Sequence, residues 1–126
     1  MSTLEVSNLN DGTKTVATTN LTNGSAKVWN NMNGTGTVAV RDSFNIASIT
    51  DLAAGQYQHN FTNAMDSADN FAASAFCRVS GNWGILGGVN DTTFTASSFK
   101  HATLQSGATT AADALYATIA IHGDLA

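Results

Sequence analysis

Alternation with a period of two runs through the middle of this 126-residue chain and restricts what it can fold into. Val38 and Val40 alternate with Thr37, Ala39 and Arg41. Phe44 and Ile46 alternate with Ser43, Asn45 and Ala47, and Tyr57, His59 and Phe61 alternate with Gln56, Gln58 and Asn60. Successive side chains of an extended chain point to opposite faces, so each segment reads as a half-buried strand with its apolar set on a core. Asn33-Gly34-Thr35-Gly36 and Ala53-Ala54-Gly55 supply the turns between them.

The rhythm continues downstream. Phe71, Ala73, Ala75, Cys77 and Val79 share one face, opposite Ser74 and Arg78. Trp83 to Val89 is short and apolar, and Thr92 to Phe99 alternates Phe94 and Ala96 with Thr95 and Ser97. In the last segment Leu115, Ala117, Ile119 and Ile121 oppose Tyr116, Thr118, Ala120 and His122, a β-branched pattern suited to a closing strand. Two places could be helical instead: the Ala-rich residues 64–78, and the run after Thr110, where Asp113 completes a variant capping box. The expected fold is all-β, an antiparallel β-sandwich of roughly eight strands, jelly-roll-like, over residues 25–126.

Residues 1–24 differ. Leu4 and Val6 alternate with Thr3 and Glu5, Asn10-Asp11-Gly12 offers a turn, and Thr15 to Leu21 continues in extended, Thr-rich form. A small hairpin, an extended arm that docks on another protein, and a disordered tail all fit this stretch. Asn23-Gly24-Ser25 marks the joint.

Leu, Ile, Val and Phe make up only roughly a fifth of the chain, a thin inventory for an isolated core that favours a homo-oligomer. A net charge of −4 with five lysines and arginines excludes the basic stripe of a nucleic-acid binder. No segment is apolar enough to insert in a membrane, and MSTLEVSNLN lacks the basic start and apolar run of a signal peptide. Synthesis in a cytoplasm without a self-encoded export signal is therefore expected. Cys77 is the only cysteine, which precludes an intrachain disulfide.

No catalytic constellation emerges. His59, His101 and His122 stand at no metal-ligand spacing, and Cys77 has no base nearby in sequence. His59, between Tyr57 and Phe61, reads as a hydrogen-bonded histidine of the core or of a subunit interface. Asp66 and Asp69 lack the spacing of a calcium loop, and the glycine-bearing segments lack the lysine of a phosphate loop. No enzyme activity, cofactor or metal is expected. Asn82 and Trp83, followed by a polar loop with Asn90 and Asp91, form the candidate receptor or glycan contact, because an aromatic flanked by amides can stack on a sugar ring and bond its hydroxyls.

Ala26, Lys27 and Trp29, the words Asn33–Ala39, Arg41 and Ser48–Asp51, then Tyr57, Asn60, Phe61 and Thr62, together resemble a module of bacteriophage tail-fibre and other virion surface proteins. The match is densest upstream of Met65. The resemblance implies a non-enzymatic virion structural protein, a short tail fibre or fibre tip assembled in the host cytoplasm as a homotrimer. It further implies that Thr3, Leu4, Val6 and Leu9 anchor the N-terminal arm to a tail or capsid protein, and that the distal half contacts a host surface glycan or protein. The alternatives are a capsid-attached head fibre or decoration protein, and a stand-alone carbohydrate-binding module.

Overall fold

A computed structural model describes residues 3–79, 82–87, 94–105 and 107–126, with 82–87 described by backbone. The chain begins with a hairpin, β1 (Asn8–Asn10) and β2 (Thr15–Ala17), followed by the short helix α1 (Thr18–Gly24). Asp11 closes the hairpin: its Oδ1 accepts from the backbone N–H of Thr13 at 2.8 Å and of Lys14 at 2.7 Å, and Gly12 takes a positive φ of 93°. These bonds to Lys14 and Thr13 hold the Asp11 carboxyl below its ordinary pKa. The helix was not expected. It carries three Thr, has no side-chain N-cap bond and buries nothing, so no propensity or amphipathic signal announces it.

The remaining strands are β3 (Val28–Asn33), β4 (Ala39–Phe44), β5 (Ile46–Ala53), β6 (Gln56–Phe61), β7 (Ala72–Val79), β8 (Asn82–Gly87), β9 (Phe94–Thr95), β10 (Ser98–Gln105) and β11 (Ala114–His122). They form two antiparallel sheets, β4-β3-β11-β7 and β8-β10-β6-β5, joined where Arg78 and Val79 pair with Trp83 and Asn82. The all-β sandwich expected from the alternation is the architecture found. The order β11-β7-β8-β10 is a Greek key, three successive strands with the fourth returning beside the first, whereas β3–β4 and β5–β6 are hairpins within one sheet. Neither segment is helical: the first forms β7 from Ala72 on and the second forms β11 from Ala114 on, and the two strands pair from Ala114↔Val79 to His122↔Ala72.

Four local departures from strict alternation matter. Phe44 was expected on the core face but is 53% exposed. Asn45, at φ 60°, turns the chain from the edge of the first sheet to the edge of the second, and the alternation does not carry through that corner. Val40 is also exposed, beside a register shift at Asn31/Met32. Leu115 is turned out by a bulge between Ala114 and Tyr116, which buries Ala114 in its place. Of the alternating run Thr92–Phe99, residues 92 and 93 lie outside the described residues, and the rest is interrupted too: Phe94 and Thr95 fold back on Phe99 and Ser98 as a tight hairpin.

Two apolar clusters fill the sandwich. Val28, Phe61, Met65, Phe99, Ile119 and Ile121 form one; Met32, Tyr57, Cys77, Val79, Ala114 and Ala117 form the other. The second is tied to the turns at its end. The Tyr57 hydroxyl lies 3.1 Å from the Gly34 carbonyl oxygen and 3.2 Å from Asp113 Oδ1, which also accepts from the Gly55 N–H at 2.6 Å. Burial, then the Asp113 carboxylate, pushes the Tyr57 phenol up to about 12. Gly55 sits at φ 66° with the Ala112 backbone 2.5 Å from where a Cβ would stand, so that turn admits no side chain.

Candidate functional surface

The interior contains the chain's strongest polar feature. Asn30 of β3, His59 of β6 and His101 of β10 are each at most 2% exposed and form one hydrogen-bonded row across the sandwich. Asn30 Nδ2 is 3.1 Å from His59 Nδ1, and His59 Nε2 is 3.0 Å from His101 Nδ1. With the amide donating, His59 carries its proton on Nε2 and donates to His101, which carries its own on Nε2. Asn30 Oδ1 and His101 Nε2 then have no partner. Burial, with His101 as a second cause, depresses the His59 pKa to about 3, and burial depresses that of His101 to about 4. Both imidazoles are neutral near pH 7.

This row is closed off from solvent: the two rings stack 4.9 Å apart, and Tyr57 and Phe99 both pack against the His101 ring. Cys77 is buried in the neighbouring cluster, its thiol pKa raised by desolvation, opposite to what a nucleophilic thiolate needs. Among the described residues no group of three His, Cys, Asp or Glu side chains could hold a metal ion.

The accessible chemistry lies on the outer face of the first sheet. Strand register places Phe44, Trp29, Ala120 and Ser74 in one cross-strand row, and Asp42, Asn31, Thr118 and Phe76 in the next. Tyr116 and Arg78 continue the face, and the Arg41 guanidinium lies 4.2 Å above the Tyr116 ring. Arg41 is held there by bonds to the Met32 and Leu115 carbonyls at 2.5 and 2.7 Å. Trp29 is 37% exposed and Phe76 60%. Among the described residues, the polar groups between these rings are lightly used. The Ser74 and Thr118 hydroxyls reach only backbone carbonyls, each at 3.4 Å, and Asn31 Oδ1 has no partner.

The other sequence-derived candidates are dispersed. Thr3, Leu4 and Val6 are exposed in the extended run before β1. Leu9 lies in β1 opposite Val16 and, with Leu21, lines a shallow groove of about 320 Å³ between the hairpin and α1. Asn82 and Trp83 begin β8, but their side chains, like Asn90 and Asp91, fall outside the described residues. The aromatic face of the first sheet was missed because Phe44 and Ala120 belong to different segments. Only the pairings of β11 with β3 and β7 bring Trp29 and Phe76 onto one surface. No protein-family model matches the chain, and neither any curated protein nor any solved structure matches it.

Proposed function

We propose that this chain is a non-enzymatic structural subunit of a bacteriophage virion, a short tail fibre or fibre tip that assembles as a homotrimer. In this reading residues 1–24 attach it to the particle and the sandwich contacts the host surface. The observation that carries it is surplus exposed surface, with large apolar side chains on it. The chain exposes 7558 Å², roughly 1,200 Å² more than the roughly 6,300 Å² expected of a compact monomer of 13.0 kDa. A partner in a standard-size interface contributes about 800 Å². Leu4 and Val6 are exposed before β1, Leu9, Val16 and Leu21 on the N-terminal hairpin and helix, and Val40, Phe44 and Leu52 on β4 and β5, the end strands of the described sheet order. Buried apolar contact and strand-edge pairing are the two ways such surface is ordinarily covered. The resemblance of residues 26–62 to phage fibre modules supplies the particular assembly. Attachment to the capsid as a head fibre is the second form of the same reading.

Sedimentation of the purified chain tests it: a trimer is expected, and a monomer at micromolar concentration sinks the fibre reading. Removing residues 1–24 is expected to abolish incorporation into particles while the trimer persists. Labelling of intact particles then separates tail from capsid.

A further inference from the structure

We infer that the outer face of the first sheet binds a neutral oligosaccharide, seated between Trp29 and Phe76. This specifies the host-contacting part of the fibre reading and rests on it for its biological setting, but the site is argued from its own geometry. Neighbouring strands lie about 4.8 Å apart and alternate residues about 6.8 Å apart along a strand, so the Cα positions of Trp29 and Phe76, two strands and one row apart, are separated by about 12 Å. The floor between them is Ala120 and Thr118, two small side chains. Two exposed rings flanking a low floor make a trough wide enough for a disaccharide.

The polar groups decide what fits it. Among the described residues, the Thr118 and Ser74 hydroxyls stand 3.4 Å from their acceptors, both backbone carbonyls, and Asp42 Oδ1 accepts the N–H of its neighbour Ser43 alone, at 2.9 Å. An apolar protein surface laid over this face would strand those groups at about 1–3 kcal/mol each. A second copy of the face would bring more rings and too few complementary donors. A pyranose has both halves of the complement: C–H faces that stack on aromatic rings, and hydroxyls that donate to Asp42 and accept from Ser74 and Thr118. The charge argues for a neutral sugar. Asp42 on β4 and Arg78 beside Phe76 bring one charge of each sign to the face, while Arg41 is committed to backbone carbonyls and the Tyr116 ring.

The full chain, titrated with cellotriose, maltotriose and chitotriose by calorimetry and tryptophan fluorescence, tests the site. At least one is expected to bind. Trp29→Ala and Phe76→Ala are each expected to weaken binding at least about tenfold, while Phe94→Ala, away from this face, leaves it unchanged. Circular dichroism of each variant separates loss of the site from loss of the fold, and Thr118→Val provides a second, near-isosteric change to the floor. No binding of any of the three at about 10 mM, or binding that neither ring substitution alters, overturns the inference. A Phe76→Ala variant that changes the oligomeric state and not the affinity overturns it in favour of a contact between copies. Sedimentation is read separately: sugar affinity in a monomer removes the fibre reading alone, and a trimer without sugar affinity removes this site alone.

Discussion

The two outer faces of the sandwich solve the same problem in opposite ways. On the second sheet, Gln58 and Asn60 of β6 face Thr50 and Ser48 of β5, and the polar groups satisfy one another. Asn60 Nδ2 donates to Ser48 Oγ at 3.0 Å and Thr50 Oγ1 at 3.1 Å, and Gln58 Nε2 donates to Asn60 Oδ1 at 2.6 Å. On the first sheet the corresponding positions hold Trp29, Phe44, Phe76 and Tyr116, with hydroxyls and an amide left short of good partners. Along β5 and β6 these polar groups are satisfied. The outer face of the first sheet has stacking surface and hydrogen-bonding capacity to spare. In a chain with so few large apolar residues, four aromatics on one exterior surface leave stacking area unburied.

The largest expected effect strikes the row on which both sheets depend. His59 and His101 have folded-state pKa values of about 3 and about 4, against an ordinary 6.5. Above pH 6.5 both states are neutral and nothing is lost. As the pH falls below that value the unfolded chain takes up protons that the folded chain refuses, so stability drops until the folded values are reached. Two groups each depressed past pH 5 imply a loss of about 4 kcal/mol between pH 7 and pH 5. Urea denaturation at the two values measures it, and coincident midpoints would falsify the neutral buried pair. Replacing both histidines, as His59→Leu with His101→Leu, is expected to flatten the dependence across that window.

Next in size is Ile121→Ala, which empties a fully buried position in the cluster that joins the sheets. A loss of about 3 kcal/mol is expected in the same assay. Less than about 1 kcal/mol would mean that the first sheet is packed more loosely than its burial shows.

Two smaller effects separate the faces directly. Asn60→Ala removes the central amide of the polar ladder on the second sheet and is expected to cost about 1 kcal/mol of stability with no change in sugar affinity or assembly. Phe76→Ser on the first sheet is expected to shift stability by no more than about 0.5 kcal/mol while binding is lost. If Asn60→Ala impairs binding and Phe76→Ser unfolds the protein, the contrast between the faces is wrong.

The inward faces were legible where a strand is regular. Tyr57, His59 and Phe61 are all buried, as a period of two requires, and so are Ala117, Ile119 and Ile121. Legibility stopped where backbone geometry breaks the period. Asn45 turns a corner between sheets, and the bulge at Ala114/Tyr116 reverses Leu115; no side-chain pattern encodes either before the strand pairing is known. The outer face was hidden for another reason. Trp29 and Phe76 lie 47 positions apart in sequence and share a surface only because β11 returns between their strands. His101 was visible as a histidine, but its partnership with His59 depends on β10 lying beside β6.

That partnership has a consequence for the protons themselves. Among the described residues the row from Asn30 through His59 to His101 ends in an unmatched atom on both sides, so none of them dictates which way the hydrogens point. Rotating the Asn30 amide by half a turn makes its oxygen the acceptor, moves the His59 proton to Nδ1 and the His101 proton to Nδ1, and leaves every carbon where it was. The core therefore accommodates two polarities of a single hydrogen-bonded wire. Its imidazole nitrogens should report exchange between two tautomers inside an otherwise rigid sandwich.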